Sequence, residues 1–210
     1  MAPPEPTGRT RDLFGDRFPT VGRYVDILSS RGVDYGLIGP REVERIWERH
    51  MLNSVSIAGL IPSGATVADV GSGAGLPGIP LAILRPDLTI TLIEPLLRRS
   101  TFLDWAVAEL GLTDTVAVDR ARAEDHAGSY DIVTARALAP LDRLVRWCNP
   151  LRSAGGAIIA LKGRTAAAEV EAGSDVLRQL RLVPELLSVQ AHSEAEPTTV
   201  VRVTEASRAC

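Results

Sequence analysis

Two carboxylates and three glycines in this sequence have the spacing of a ligand site at the ends of two strands. Asp69 lies just before Gly71, Gly73 and Gly75, and Glu94 ends the next short apolar run. Because glycine has no Cβ, a backbone built from it can pass close beneath a ligand and turn into a helix N-terminus, whose free N–H groups attract anions. The acid at position 94 is spaced to bind both hydroxyls of a ribose. These residues predict a site for a nucleoside-containing ligand.

The glycines are compatible with two kinds of ligand. Residues 73–78 match G-x-G-x-x-G, which is typical of dinucleotide binding. Counted from the strand end, however, the pattern starts at Gly71 and puts Leu76 where the third small residue belongs. Asp69 would also repel a pyrophosphate, whereas it suits a cationic amino-acid ligand. These two details favour S-adenosylmethionine (AdoMet); Glu94 serves either ligand, and a glycine-rich turn without a ligand is the alternative.

Further candidate residues follow later strand ends. Ala123 and Glu124 come after the third apolar run, where a backbone N–H and a small apolar surface would suit an adenine; a plain surface turn is the alternative. Arg136 follows the fourth run, at the edge where ligands bind in sheets of this kind. We expect Arg136 to hold a cofactor carboxylate or a substrate base, with a surface salt bridge as the alternative.

The elements that would position these residues alternate along the chain. Short apolar runs predict strands at 66–70, 89–93, 115–118, 130–135, 157–161, 187–191 and 199–204, and amphipathic stretches predict helices at 77–85, 97–110, 140–151 and 165–182. Such alternation predicts a doubly wound α/β sheet with right-handed parallel crossovers. The last two runs have no helix between them, so we expect them to pair antiparallel. Residues 13–60 have helical periodicity, and the proline-rich residues 1–12 predict a disordered tail.

Composition argues against several classes of protein. The chain has 210 residues and a formal net charge of −3, so any RNA contact would need a local basic patch. No apolar run reaches the roughly 18–20 residues of a membrane helix, and the first residues do not resemble a secretory signal, so we expect a soluble, cytoplasmic protein. The two cysteines are far apart and the three histidines lack ligand spacing, which argues against a disulfide scaffold and a metal site.

Several segments, taken in order, resemble the bacterial RsmG (GidB) family of 16S ribosomal RNA guanine-N7 methyltransferases. The most specific is the glycine loop with the Leu-Pro-Gly-Ile-Pro that follows it, residues 69–80. Residues 49–54, 98–103, 134–141 and 160–163 are also similar to segments of the family, and the resemblance covers residues 13–204. One departure is Asn53, where the family has Asp. The amide keeps the hydrogen-bonding shape but loses the charge, so we predict no catalytic acid there.

The resemblance implies a class I AdoMet-dependent methyltransferase fold. This is a Rossmann-like, doubly wound, mostly parallel seven-stranded sheet, here over residues 62–206, with an N-terminal helical cap over residues 13–61. The implied AdoMet contacts are Gly71, Leu76, Glu94, Ala123, Glu124 and Arg136, to which the residue pattern adds Asp69, Gly73 and Gly75. The implied partner is 16S rRNA or the small ribosomal subunit, and we expect a monomer that needs neither a metal nor a membrane.

Four residues are candidates for positioning the RNA substrate. Arg136 and Lys162, the only lysine of the chain, lie at strand ends, where Lys162 would meet an RNA phosphate or a base edge. His50 and Ser54 are four residues apart and share a helix face. We expect His50 to face the opening of the active site; a satisfied, buried histidine is the alternative.

The implied chemistry explains why no acid–base pair stands out. Guanine N7 carries a lone pair and no proton, so methyl transfer to it needs no general base and depends on alignment of the reacting atoms. Two alternatives from other classes are an NAD-dependent Rossmann oxidoreductase that uses the same glycines and a non-catalytic RNA-binding factor. Binding of AdoMet rather than NAD would exclude the first, and transfer of label from AdoMet to small subunits would exclude the second.

Overall fold

The seven predicted strands form one sheet in a computed structural model that describes residues 2–206. The strands are β1 (Thr66–Val70), β2 (Thr89–Ile93), β3 (Val116–Asp119), β4 (Tyr130–Arg136), β5 (Arg152–Lys162), β6 (Leu182–Val189) and β7 (Thr198–Glu205). Their order across the sheet is β3-β2-β1-β4-β5-β7-β6. Strands β1 to β5 pair in parallel, whereas β7 pairs antiparallel with both β5 and β6. The sheet is therefore mixed, and the expected antiparallel pairing of the last two strands is confirmed.

Helices cover both faces of the sheet. They are α1 (Gly8–Phe14), α2 (Phe18–Ile27), α3 (Asn53–Val55), α4 (Gly78–Leu84), α5 (Leu97–Glu109), α6 (Leu141–Cys148), α7 (Ala166–Ala172) and α8 (Ser174–Gln179). Successive strand residues face opposite sides. Val67 therefore packs in the core under the N-terminal helices, α4 and α5, while Ala68 packs in the core under α6 and α8. The result is a three-layer arrangement with apolar strands buried on both faces.

The N-terminal part of the chain is helical but irregular. After α2 come a π-helical turn at Leu28–Gly32, a 3-10 turn at Pro40–Arg45, another π-helical turn at Trp47–Leu52 and a 3-10 turn at Ala58–Leu60. The structure differs from the disordered tail expected over residues 1–12, since α1 starts within it. Thr7 caps this helix by accepting a hydrogen bond from the Thr10 amide at 3.2 Å, and Trp47 Nε1 donates to the Pro4 carbonyl at 2.9 Å. Met1 lies outside the described residues.

The segment before the sixth strand also differs from the prediction. The helix expected over residues 165–182 is divided at Gly173 into α7 and α8. Arg181, at φ +55°, ends this helical stretch, and β6 begins at Leu182 rather than at the predicted residue 187. Pro184 is tolerated in β6 because this is an edge strand, where a missing N–H on the outer side breaks no ladder.

The strand order fixes the location of a ligand site. The sheet grows in one direction from β1 through β2 to β3 and in the other from β4, so the carboxyl ends of β1 and β4 border a topological switch point, where α/β sheets bind ligands. The glycine loop leaves β1 at this point, and residues 137–140 leave β4 beside it. Within residues 2–206, no helix has both the length and the apolar content needed to cross a membrane.

Candidate active site

The loop between β1 and α4 is shaped by three glycines in the left-handed region of φ. Their φ angles are +70° at Gly71, +57° at Gly73 and +93° at Gly75. A Cβ at Gly71 would collide with Cδ1 of Leu138, from the loop that follows β4. The Gly71 amide donates to the Ile93 carbonyl at 2.8 Å, which anchors the loop to the end of β2. The close backbone approach predicted from the glycines is therefore present.

Asp69 lies beneath this loop and is fully buried. Its Oδ2 accepts a hydrogen bond from the Gly78 amide at the start of α4, at 3.0 Å. Its Oδ1 has no hydrogen-bond partner within residues 2–206. Burial raises the pKa of Asp69 to about 7, against the opposing effect of the Gly78 hydrogen bond. The site therefore holds one carboxylate oxygen that would be stabilised by a cation.

Glu94 joins the glycine loop to the end of β2. Its Oε2 accepts from the Gly73 amide at 3.0 Å, and its Oε1 accepts from the Leu96 amide at 3.1 Å. The side chain is buried, yet Glu94 lines a cavity of about 670 Å³ together with Gly71. Two backbone donors thus hold a carboxylate at the cavity wall, with lone pairs left for the hydroxyls of a ligand.

Ala123 and Glu124 lie beside this cavity. They line an adjoining, largely apolar slot of about 120 Å³ that also contains Gly71 and Leu138. Such a slot suits the face of a planar base. The residues present fit AdoMet. Asp69 has a buried carboxylate oxygen without a partner in the described chain, which the ammonium group would need. The Glu94 carboxylate suits the ribose hydroxyls, and the apolar slot suits the adenine.

Arg136 ends β4 and binds the N-terminal helical segment. Its Nη1 donates to the Arg49 carbonyl at 2.9 Å and to Asn53 Oδ1 at 3.2 Å, and its Nη2 contacts His50 Nδ1 at 3.0 Å. His50 Nε2 lies 2.7 Å from Glu42 Oε2. Burial, together with the charge of Arg136, lowers the pKa of His50 to about 4. His50 is therefore neutral near pH 7.

Asn53, Ser54 and Leu76 have three different environments in the structure. Asn53 bridges two elements, because its Nδ2 donates to Thr198 Oγ1 at 3.0 Å while its Oδ1 accepts from Arg136. Ser54 is fully buried, and its Oγ has no partner within the described residues. Leu76 is buried in the core. The walls of the cavities described here contain neither Ser54 nor Leu76, and they also lack Asp69, Gly73 and Gly75, which lie beneath or within the glycine loop.

Lys162 makes internal contacts where an RNA contact was expected. Its Nζ donates to the Ala139 carbonyl at 2.6 Å and to Glu169 Oε2 at 2.8 Å, and its side chain is only 7% exposed. Glu169 Oε2 also accepts from the Leu141 amide at 3.1 Å. The ammonium therefore fixes the loop of residues 137–140, between β4 and α6, and this accounts for its position at the strand end.

A second cavity, of about 800 Å³, lies between the N-terminal segment and the ends of β4 and β5. Arg136 and Lys162 are in its wall, and Leu138 lines both this cavity and the first. Arg49 and Arg164, both exposed, also line it, and neither forms an ion pair with a residue of the described chain. In the same part of the chain, no group of three His, Cys, Asp or Glu side chains could hold a metal ion.

Three residues of this site were not predicted from the sequence. Leu138 covers Gly71, Glu42 contacts His50, and the Tyr24 hydroxyl donates to the Ala74 carbonyl at 2.6 Å. The sequence held a signal for Glu42 alone. Glu42 and His50 are eight positions apart, which is about two turns of a helix, so helical spacing puts them near the same face. Contacts of Tyr24 and Leu138 with the glycine loop join parts of the chain that no local pattern relates.

This chain is similar to a family of methyltransferases over most of its length. The family model described as "GidB: rRNA small subunit methyltransferase G" matches residues 18–197. The ribosomal RNA small subunit methyltransferase G of Kineococcus radiotolerans is 52% identical over 195 residues, which cover 91% of this chain and 76% of that protein. The protein of the same name from Thermobifida fusca is 52% identical over 202 residues, covering 95% and 85%.

The fold is also similar to solved methyltransferase structures. A ribosomal protein L11 methylase from Lactobacillus delbrueckii subsp. bulgaricus superposes with a TM-score of 0.58 at 18% identity, over 74% of this chain and 77% of that one. At this identity the likeness establishes the Rossmann-like fold alone.

Proposed function

Because the chain belongs to the GidB family of rRNA small subunit methyltransferase G proteins, we propose that it methylates N7 of a guanine in 16S rRNA. AdoMet is the cofactor. The comparisons support neither an NAD-dependent oxidoreductase nor a non-catalytic RNA-binding factor. The observation that carries the proposal is the family match over residues 18–197, and Gly71, Glu94 and Arg136 line adjoining cavities at one edge of the sheet.

The first cavity is our proposed cofactor site. Glu94 binds the ribose hydroxyls, since two backbone amides already hold its carboxylate at the cavity wall. Asp69 stabilises the ammonium group through Oδ1, which has no partner in the described chain. Ala123 and Glu124 border the adenine in the apolar slot, whose wall also contains Gly71 and Leu138. When bound, AdoMet supplies an electrophilic methyl group on a sulfonium.

The second cavity is our proposed guanine site. It shares Leu138 with the first cavity, which supports transfer across the boundary between them. Guanine N7 has a free lone pair, so no residue is needed to remove a proton, and the chain's task is to align the base and exclude water. Arg136 lies in the wall of this second cavity, where it holds either the cofactor carboxylate or the base. Arg49 and Arg164 are suited to meet RNA phosphates at the mouth.

The N-terminal helical segment, residues 13–61, is our proposed cap over a methyltransferase domain of residues 62–206. Support comes from Glu42, Arg45 and Arg49, which line the guanine side from this segment, and from the hydrogen bonds that join Arg136 to it. Methyl transfer to guanine N7 as proposed uses no metal ion, and a small-subunit rRNA substrate supports a cytoplasmic location.

A methylation assay tests the proposed function. Small ribosomal subunits from cells lacking the protein would be incubated with labelled AdoMet, and the modified nucleotide mapped by chemical cleavage at N7-methylguanosine. We expect label at one guanine of 16S rRNA, and the same site unmodified in cells without the protein. Binding of NAD without binding of AdoMet, or AdoMet binding with no label in the RNA, would contradict the proposal.

A further inference from the structure

Glu42 and His50 form a partly buried contact that the proposed reaction does not yet use. Both come from the N-terminal helical segment, and both line the second cavity. His50 is 4% exposed, and its Nε2 lies 2.7 Å from Glu42 Oε2. The other ring nitrogen, Nδ1, lies 3.0 Å from Nη2 of Arg136 at the end of β4. The imidazole therefore bridges a carboxylate and a guanidinium.

The direction of these hydrogen bonds follows from the chemistry of the end groups. A guanidinium only donates, so Nδ1 of His50 must be the acceptor and carries no proton. The proton of the neutral ring is then on Nε2, which donates to the Glu42 carboxylate. Glu42 thus selects the single tautomer in which His50 can accept from Arg136. The charged groups that face His50 are Glu42, Arg136 and Arg49.

Arg136 is held without being neutralised. Its three recorded acceptors are the Arg49 carbonyl, Asn53 Oδ1 and His50 Nδ1, and none is a carboxylate. A guanidinium has five N–H groups, so these contacts leave the Nε–H and one Nη2–H without a partner in residues 2–206. Two donors are what a bidentate contact with an anionic carboxylate requires. A fixed, charged fork is therefore available in the wall of the second cavity.

We propose that Glu42 and His50 are positioning residues that hold Arg136 in the orientation needed for methyl transfer. Glu42 fixes the tautomer and ring of His50, and His50 fixes the guanidinium through Nη2. The effect on methyl transfer rests on the proposed function, whereas the tautomer and the hydrogen bonds do not.

Nuclear magnetic resonance of the imidazole nitrogens tests the geometry in the free protein. The chain has three histidines, so a long-range ¹H–¹⁵N spectrum is simple, and His50→Asn identifies the His50 signals. We expect a neutral ring near pH 7 with the proton on Nε2 and an unprotonated, hydrogen-bonded Nδ1. Glu42→Gln should keep this pattern, because its amide oxygen can still accept from Nε2, whereas Glu42→Ala should mix the tautomers. A proton on Nδ1, or a ring that titrates near pH 6.5 in the wild type, would overturn the proposal.

Single-turnover methylation separates positioning from a general loss of stability. We expect Glu42→Ala to lower the rate about tenfold, and Glu42→Gln to stay within about threefold of the wild type. The matched control is Glu44→Ala, an exposed residue of the same 3-10 turn, which should change nothing. In a background of Arg136→Lys, Glu42→Ala should add little, because both changes act on the same guanidinium. Thermal unfolding of each variant checks that it is folded.

The outcomes distinguish two failures. If the wild type does not methylate small subunits, the proposed function fails, and the nitrogen spectra still decide the geometry. If the wild type is active but Glu42→Ala is as fast, or if its effect is fully additive with that of Arg136→Lys, the positioning role is wrong.

Discussion

Asp69 places an acidic group in the centre of the protein, with only part of its hydrogen-bonding capacity used. The Gly78 amide satisfies Oδ2, while Oδ1 has no partner in the described chain. A buried carboxylate of this kind is costly when ionised unless a cation joins it. A ligand ammonium group beside Asp69 would therefore favour the ionised form, and binding of the ligand would stabilise the folded protein.

The raised pKa of Asp69 predicts how the free protein responds to pH. The pKa rises from 3.8 in a model compound to about 7 in the fold, so the folded state holds an extra proton between about pH 4 and pH 7. Stability from this group is thus fully present below about pH 4 and is lost as the pH rises through about 7. Asp69→Asn keeps an acceptor for Gly78 and cannot ionise. We expect the difference in unfolding midpoint between this variant and the wild type to grow in favour of the variant from about pH 4 to about pH 7.

His50 affects the pH dependence of stability with the opposite sign to Asp69. The effect of Asp69 must therefore be measured as a difference between the wild type and Asp69→Asn. The pKa of His50 is lowered from 6.5 to about 4, so its contribution to stability increases as the pH rises across that range. The difference between variant and wild type cancels this contribution. Asp69→Asn should also weaken AdoMet binding at about pH 8, measured by calorimetry. A midpoint difference that does not change with pH would contradict the raised pKa of Asp69.

At the residue scale, local pattern decides the position of some side chains. Asp69 lies near the end of β1, Arg136 ends β4 and Glu94 directly follows β2, so period and chain direction bring them to one edge. Ser54, which was expected to share a helix face with His50, is fully buried. Helical spacing gives the face that a residue shares, not the partner against which that face packs. The contact of His50 with Arg136, 86 positions along the chain, depends on tertiary docking.

The loop of residues 137–140 is the element that both cavities share. It begins with Ala137 at φ +50°, which is uncommon for a residue with a Cβ. Lys162 holds the Ala139 carbonyl of the loop, Glu169 accepts from the Leu141 amide just after it, and Leu138 rests on Gly71. The position of Leu138 thus depends on the glycine loop below it as well as on the ion pair behind it.

Alanine at two glycines separates backbone strain from contact with Leu138. Gly71→Ala and Gly73→Ala both force a Cβ into the left-handed region, which costs roughly 1–2 kcal/mol. Only at Gly71 does the new Cβ collide with Leu138; at Gly73 the nearest atom is the Gly71 carbonyl oxygen, 3.8 Å away. We expect urea denaturation to give a larger loss for Gly71→Ala, accompanied by weaker AdoMet binding. Equal losses at the two sites would show that contact with Leu138 does not matter.

Element-level prediction was accurate for buried strands and weaker at the edge of the sheet. Strands β1 and β2 were predicted with the observed bounds, because central parallel strands are continuous apolar runs. For β6, the exposed residues Val183 and Leu186 and the internal Pro184 give no such run. This strand is specified only by its pairing with β7, a contact between distant parts of the chain that local sequence pattern does not reveal.

At the scale of the whole molecule, the acidic net charge makes the location of unpaired arginines important. The formal net charge is −3, yet Arg49 and Arg164 both line the second cavity, and neither forms an ion pair in the described chain. Three of the four carboxylates in that wall are engaged by His50, Arg45 and Lys162. RNA binding should therefore depend on a few phosphate contacts and on ionic strength.

Replacing Arg164 tests this dependence. We expect Arg164→Gln to weaken binding to the small subunit and to lower the slope of log affinity against log salt by about 0.7–0.9, the value for one phosphate contact. AdoMet affinity should not change. The control is Arg178→Gln on α8, also exposed and ion-paired with Asp175. An unchanged salt slope for Arg164→Gln would exclude a phosphate contact at this residue.

The buried ion pair of Lys162 has a practical consequence for labelling the protein. Lys162 is the only lysine, and its amine forms an ion pair with Glu169 and is shielded from solvent at 7% exposure. Acylating reagents need an accessible amine, so this side chain should react slowly in the folded protein. Its modification rate, followed by mass spectrometry, would then report how often the loop of residues 137–140 opens and whether bound AdoMet keeps it closed.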